Sequence, residues 1–284
     1  MNEAVDSGND VRWVIYSRAF FGLMQRDMRV LSREIVPFLI RVAMNPLLFL
    51  FVFTYVMPHM SGGARMSPVA GLAAAGGSGG FGTVLLPGLM AVAIMFSGIA
   101  AVALPLAQEF GVTREIDDRV MCPLPIGAVA IEKIVFSGIQ SLFAAAVVFP
   151  LAYYIPSTPV LAHVSSWWFL IAVLVLASLL AGALGLTIGT SVQPKQIGLI
   201  FGVVIVPITF LGCVYYPWAA LQSIKWLQIG VLVNPIVYMS EGLRAALTPT
   251  TGHMPEAMIL AMLVFFLALL TWLGMRGFAS RVLS

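Results

Sequence analysis

The chain has 284 residues, of which 60% are hydrophobic and only 10% are charged, and its mean hydropathy is +1.00. Soluble domains carry about 25% charged residues, so this composition excludes a soluble globular protein and predicts an integral membrane protein. The net charge of +3 is too small to indicate a nucleic-acid partner.

Residues 12–35 predict an amphipathic helix near the start of the chain. With about 100° between successive residues, the large apolar side chains fall within about 80° of one another. That face holds Trp13, Phe20, Met24, Met28, Leu31 and Ile35, and the opposite face holds Arg18, Arg26, Arg29 and Arg33. Such a helix lies in the membrane interface, with its arginines near anionic headgroups. Asp27 and Glu34 stand at the edge of the apolar face and indicate that one flank contacts protein.

Six apolar segments in the rest of the chain predict six transmembrane helices. They cover residues 37–57, 82–107, 134–155, 166–190, 197–217 and 256–275. A spanning helix needs about 20 apolar residues, which each segment can provide. None of the segments holds an acidic residue, a lysine or a histidine at mid-depth, where proton- and ion-coupled carriers usually place ionisable groups. A transporter with this sequence would therefore take its energy from a partner protein.

The fourth apolar segment carries small residues at helical spacing. These residues are Ser178, Gly182, Gly185 and Gly189. Small side chains at this spacing let two helix backbones approach closely. The pattern predicts a tight helix contact, either within the chain or between two copies of it.

The distribution of Lys and Arg predicts that both termini are cytoplasmic. In that orientation three basic residues lie outside, namely Arg65, Lys225 and Arg244. The other twelve lie inside, namely Arg12, Arg18, Arg26, Arg29, Arg33, Arg41, Arg114, Arg119, Lys133, Lys195, Arg276 and Arg281. An excess of basic residues marks the cytoplasmic side of a membrane protein, so the split indicates this topology strongly.

Several catalytic motifs are missing from the sequence. No G-x-x-x-x-G-K-[ST] occurs, so the chain lacks the phosphate-cradling loop of that kind and is not expected to hydrolyse ATP. The string "GGSG" at 76–79 resembles a serine-protease motif, but no histidine lies mid-span to act as its base. Cys122 and Cys213 lie far apart and lack metal-ligand spacing, so no metal or other cofactor is expected on this chain.

Residues 218–255 form an amphipathic stretch between the fifth and sixth apolar segments. Within it stands "NPIVYMSEGLRAAL" at 234–247. Asn234 is a good N-cap, and Pro235 fits the first position of a helix. Glu241 and Arg244 are spaced for an ion pair between residues i and i+3. We expect a helix here whose acid and base either close this face of the protein or take part in gating or substrate contact.

Two stretches give the chain a resemblance to the type-2 ABC exporter permeases. "FLGCVYYP" at 210–217, followed by "NPIVYMSEGLRAAL", resembles the C-terminal region of that family. The matching positions there are Gly212, Tyr215 or Tyr216, Pro217, Asn234, Pro235, Tyr238, Leu243 and Arg244. The inner loop "QEFGVTREIDDRVMCPLPIGAVAIEKI" at 108–134 resembles the family's acidic-to-proline segment, with Glu109, Thr113, Glu115, Pro123 and Lys133 at its recurrent positions.

This resemblance implies an all-α, polytopic transmembrane domain that covers residues 1–284, with six spans and an N-terminal interfacial helix. Residues 218–255 would form re-entrant helices at the outer leaflet, which include Asn234, Pro235, Tyr238, Glu241 and Arg244. Loop 108–133 would dock on an ATPase subunit through a short coupling helix that holds Thr113, Arg114, Glu115, Asp117, Asp118 and Arg119. ATP and Mg would be bound by that partner and not by this chain.

The implied function is the permease subunit of an exporter in the bacterial inner membrane. It would work with a separate ATPase subunit and a second permease copy or paralogue. Lipid-linked saccharides, drugs and similar amphiphiles are the substrates that suit the family. The alternative is a polytopic membrane protein that does not transport, such as a membrane enzyme or an assembly scaffold. An enzyme should gather polar catalytic groups at one depth, and the sequence shows no such cluster.

Overall fold

A computed structural model of the chain describes residues 3–56, 80–113, 124–155, 162–250 and 252–282. Within these ranges every regular element is a helix. The α-helices are α1 (Glu3–Arg33), α2 (Ile35–Leu50), α3 (Gly80–Gln108), α4 (Ile126–Tyr154), α5 (Trp167–Ser191), α6 (Ile197–Phe210), α7 (Lys225–Gly230), α8 (Pro235–Leu247) and α9 (Glu256–Val282). The described part of the chain is therefore all-α, as the resemblance implied.

Four helices of the described ranges are long and apolar enough to cross a membrane. They are α3, α4, α5 and α9, which contain the second, third, fourth and sixth predicted segments. Of these four, α3 is the most buried and α9 the least. A multi-pass membrane protein is thereby confirmed, with α3 at its centre.

The first and fifth predicted segments fold as shorter apolar helices. α2 has 16 residues and contains Pro46, and a π-helical stretch, Phe51–Val56, continues it. α6 is interrupted by a π-helical stretch, Phe201–Ile205, and Pro207 is the second residue of its last part. Proline removes a backbone hydrogen bond, and π-helical turns change the helical repeat, so both features break a straight helix. That these two helices also span the membrane stays a prediction.

Residues 12–33 of the predicted amphipathic helix form part of α1, but the predicted end at residue 35 is wrong, because the helix stops at Arg33 and Ile35 begins α2. Its four arginines, Arg18, Arg26, Arg29 and Arg33, are all exposed. Leu23 and Leu31 are buried in the protein core, whereas Phe21 is 68% exposed. One side of α1 therefore contacts protein, as Asp27 and Glu34 indicated, and another side leaves large apolar groups uncovered. A membrane surface would cover them, and that location stays a prediction.

The small residues of α5 pack against α3 and α4 inside the chain. A Cβ atom added at Gly182 would lie 2.9 Å from the carbonyl oxygen of Ile134 in α4. At Gly185 it would lie 3.0 Å from the Cα atom of Ile99 in α3. These distances are shorter than a normal carbon contact, so only glycine permits the helices to come this close. The tight helix contact predicted for this segment is thus a contact within the chain.

Candidate functional site

The helix α8 begins with the cap that the sequence predicted. The side-chain oxygen of Asn234 accepts a hydrogen bond from the backbone N–H of Ile236 at 3.0 Å, and Pro235 is the first helical residue. The amide nitrogen of Asn234 also donates to the carbonyl oxygen of Ile208 at 2.6 Å. The cap therefore does two things, because it starts α8 and also fixes its first turn against α6.

The ion pair predicted between Glu241 and Arg244 is present, and both side chains are completely buried. An Nη atom of Arg244 donates to the Oε1 atom of Glu241. The other Nη atom donates to the carbonyl oxygen of Cys213 at 3.1 Å. A charge removed from water needs such partners, since its desolvation costs several kcal/mol. The pair is thus a fixed part of the core and not a surface contact.

Glu241 joins two further segments of the chain to α8. Its Oε1 atom also accepts a hydrogen bond from the backbone N–H of Trp218 at 2.9 Å. Its Oε2 atom accepts one from the backbone N–H of Met254 at 3.1 Å. One carboxylate therefore holds the segment after α6, the helix α8 and the segment before α9. Local spacing predicted only the partner on the same helix.

The segment after α6 follows an unusual path beside this carboxylate. Cys213 has a φ angle of 52°, which non-glycine residues adopt rarely. The hydroxyl of Ser240 donates to the carbonyl oxygen of Gly212 at 2.6 Å, next to the bond from Arg244 to Cys213. A Cβ atom added at Gly88 of α3 would lie 1.8 Å from the carbonyl oxygen of Val214. Side chains of α8 and the backbone of α3 thus hold the strained turn from both sides.

Tyr238 completes the contacts of α8. Its hydroxyl donates to the carbonyl oxygen of Leu232 at 2.9 Å, and its ring packs on Phe266 of α9. Both oxygens of Glu241 already accept hydrogen bonds from the protein, and neither Glu241 nor Arg244 reaches the surface. These contacts favour the closing role for the pair over substrate contact. Among the described residues, no group of three or more His, Cys, Asp and Glu could hold a metal ion.

A second buried ion pair lies at the opposite end of α3. The Nζ atom of Lys133 in α4 donates to the Oε1 atom of Glu109 at 2.9 Å, and both residues are 4% exposed. Glu109 begins the π-helical turn Glu109–Thr113 that ends α3. The pair therefore ties the end of α3 to the first turns of α4. Both residues were singled out in the sequence, but their pairing was not predicted.

The predicted coupling helix follows this ion pair. Thr113 is the last residue of the π-helical turn. The other predicted docking residues, Arg114, Glu115, Asp117, Asp118 and Arg119, lie outside the described residues. The structure describes the two helices that this loop connects, α3 before it and α4 after it.

α9 also contacts this end of the bundle. An Nη atom of Arg281 donates to the carbonyl oxygen of Val192 at 2.7 Å, just after α5. Its guanidinium group lies 5.4 Å from the centre of the Phe110 ring. The end of α3, the end of α5 and the end of α9 are thus held together next to the loop.

Two cavities lie between the N-terminal helices and the centre of the protein. The first has a volume of about 550 Å³, is lined by α1, α2, α3 and α4, and is partly open to the surface. The second has a volume of about 280 Å³, is lined by α2, α3 and α6, and is also partly open. Both are lined by Arg41, Ala100 and Leu104, so they adjoin each other. Of the lining residues, Gln140 in α4 was missed in the sequence, although a polar residue inside an apolar segment is a signal that could have revealed it.

The sequence also matches a known protein family over most of its length. A family model described as ABC-2 type transporter matches residues 18–248. The matched range includes most of α1, the loop after α3 and the whole of α8. A search among curated proteins returned no match.

Proposed function

Because the chain belongs to the ABC-2 type transporter family, we propose that it is the transmembrane permease subunit of an ATP-driven exporter. The exporter moves an amphiphilic substrate out of the cytoplasm or out of the inner leaflet. A separate ATPase subunit binds ATP and Mg and supplies the energy, and a second permease copy or paralogue completes the complex. The complex lies in a bacterial inner membrane with both termini of this chain in the cytoplasm.

The buried ion pair between Glu109 and Lys133 is the observation that carries this proposal. Energy from an ATPase must enter through a cytoplasmic contact, and loop 114–123 joins α3 to α4 directly. Because Lys133 bonds to Glu109 at 2.9 Å, the two ends of that loop cannot move apart independently. A displacement of the loop therefore moves α3 and α4 as one body. Since α3 is the most buried of the four long apolar helices, the displacement reaches the centre of the protein.

The charges within the loop suit a contact with another protein. Arg114, Glu115, Asp117, Asp118 and Arg119 place five charged side chains in six positions of an otherwise apolar chain. Truncating a desolvated charge at an interface costs about 2–5 kcal/mol, whereas a charge at a solvated rim costs little. The proposed docking role is thus distinguishable from that of a solvated loop by mutation.

The test is to express the chain with each ABC-type ATPase subunit of the same genome, to identify the one that co-purifies, and to change Glu115 and Asp118 to Ala, singly and together. We expect the double variant to lower substrate-stimulated ATPase activity and to weaken co-purification of the ATPase subunit by about tenfold or more. The double variant Asp6→Ala/Asp10→Ala removes the same charge from the N-terminus and serves as the matched control. If the loop variant co-purifies and couples normally, this loop is not the coupling element. If the wild-type chain binds no ATPase at all, the non-transport alternative takes the place of the exporter.

A further inference from the structure

We infer that the two adjoining cavities form one binding site for a zwitterionic amphiphile. Its charged head occupies the larger cavity and its apolar chain occupies the smaller one. That this amphiphile is the transported substrate rests on the proposed function. The binding site itself rests on the lining of the two cavities.

The larger cavity has a charged lining in which the two signs are balanced. The charged residues around it are Arg26, Asp27, Glu34, Arg41, Glu109 and Lys133. Three of them are acidic and three are basic, so the wall carries no net charge. A multiply anionic head, such as a diphosphate, would lie against three carboxylates, and a purely cationic head would lie against three basic groups. A head with one group of each sign finds a partner for both, and the wall therefore favours a zwitterion.

The ion pair at the base of this cavity leaves other charges for the ligand. Lys133 and Glu109 bond to each other and are buried. Glu34 and Arg41 are exposed residues about two turns apart on the same face at the start of α2, and both line the cavity. Arg41 suits the anionic part of the head, because a guanidinium group can donate two hydrogen bonds to a phosphate or carboxylate. Glu34 suits an ammonium group.

Gln140 provides independent evidence that a polar group belongs in the larger cavity. It lines the cavity and is only 7% exposed. Its side-chain oxygen accepts no hydrogen bond from the part of the chain that the structure describes. A buried polar atom without a partner is unfavourable and is rare in proteins. The oxygen is itself buried, so an N–H or O–H group of the ligand's head would satisfy it once the side chain of Gln140 turns toward the cavity.

The smaller cavity suits the apolar chain of the same molecule. Val92, Phe96 and Phe201 belong to its lining, which is mostly apolar. Arg41 lines both cavities, so a head bonded to Arg41 lies where its chain can enter the smaller one. The larger volume, about 550 Å³, lies within the range of about 300–1,000 Å³ that holds small ligands. The two cavities thus match the two parts of one amphiphile.

The first experiment measures binding to the purified full chain in a neutral detergent, without ATPase. The probes are lysophosphatidylethanolamine and lysophosphatidylglycerol with the same fluorescent acyl chain. We expect the zwitterionic probe to bind about tenfold more tightly than the anionic one. Arg41→Gln and Gln140→Met should each weaken its binding about fivefold. Arg276→Gln and Gln193→Met change exposed residues away from both cavities and should leave binding unchanged.

Gln140→Met also keeps the test independent of folding. It replaces a buried polar group that lacks a partner by an apolar group of similar shape, a change that is neutral or stabilising for the fold. If this variant loses binding while its thermal stability is unchanged, the loss is therefore due to the binding site and not to misfolding. Equal or tighter binding of the anionic probe, or full binding by both cavity variants, would overturn the inference.

The second experiment separates the transported substrate from a lipid that merely resides in the cavities. The chain is reconstituted with its ATPase, and ATPase stimulation by the two lysolipids is measured. Stimulation by the zwitterionic probe that is lost in Arg41→Gln supports the assignment as substrate. Binding without any stimulation supports the site and overturns its role in transport. ATP-driven export of another amphiphile, together with no binding of the zwitterionic probe, leaves the exporter intact and overturns the site.

Discussion

Replacing Glu241 by Gln should destabilise the protein more than most single substitutions do. The change removes the negative charge and leaves the guanidinium group of Arg244 buried with the carbonyl oxygen of Cys213 and a weaker, neutral acceptor. Loss of one partner from a buried ion pair costs about 3–5 kcal/mol. Gln also has a single acceptor oxygen, so the N–H of Trp218 or that of Met254 loses its partner, which costs about a further 1–3 kcal/mol. A loss of about 4 kcal/mol or more is expected, a large part of the 5–15 kcal/mol of a typical domain.

The free energy of unfolding can be measured in mixed micelles with increasing amounts of dodecyl sulfate. Glu256→Gln makes the same chemical change at an exposed position and should alter the free energy by less than about 0.5 kcal/mol. Adding Arg244→Gln completes a double-mutant cycle, and the coupling energy between the two positions should exceed about 1 kcal/mol. If the two single changes are additive, the ion pair does not stabilise the fold, and the magnitude derived from its burial is wrong.

Three other sets of substitutions test the close helix contact, the topology and the first helix. Gly88→Ala should lower the free energy of unfolding by about 1–3 kcal/mol, because the added Cβ atom would lie 1.8 Å from the carbonyl oxygen of Val214. Gly202→Ala serves as the control, because its Cβ atom would meet nothing within 4 Å. In a chain whose native cysteines have been replaced, an impermeant thiol reagent applied from outside should label a cysteine placed at Ser78 and miss one placed at Gln193. The opposite labelling pattern would mean that the predicted membrane orientation is wrong. The third set changes the four arginines of α1 to Gln, namely Arg18, Arg26, Arg29 and Arg33. It should impair ATPase coupling but not membrane insertion, because the covalent link to α2 anchors α1 in any case. Unchanged coupling would make α1 a passive anchor.

The features that sequence reasoning predicted best are those that depend on neighbouring residues. Asn234, Pro235 and the spacing of Glu241 and Arg244 all act within one helix, so local rules for caps and side-chain pairs were sufficient. The four long apolar helices could be predicted equally well, because a run of about 20 apolar residues without charges is typical of a membrane-spanning helix.

The partners that reach the site from elsewhere in the chain could not be predicted. Trp218 and Met254 bond to Glu241 through their backbone N–H groups, which every residue except proline possesses. Their side chains therefore give no sign of the contact. Gly88 likewise lies within an apolar run, and only the path of the segment through Val214 reveals why a larger residue would not fit.

The two shorter apolar helices, α2 and α6, show a different limit of prediction from the sequence. Their apolar composition predicted continuous spans, but it gave no information on where the helical repeat changes. Pro46 in α2 and Pro207 in α6 indicate that each helix is interrupted, because proline removes the backbone hydrogen bond to the residue four positions earlier, but neither proline predicts the extent of a π-helical stretch. Such stretches depend on packing against neighbouring helices, which composition does not describe.

The position of Met254 has a consequence for how the protein is made. The ribosome delivers α8 before Met254, so a nascent chain that has just inserted α8 still lacks one of the donors to the Glu241 carboxylate. A carboxylate that is incompletely bonded in an apolar environment is unfavourable, and the insertion machinery must shelter α8 until the next segment arrives. A chain truncated before Met254 would keep this defect permanently, whereas one truncated after Met254 would still contain the missing donor. The segment made after α8, and not α8 itself, therefore completes the hydrogen bonds of this buried carboxylate.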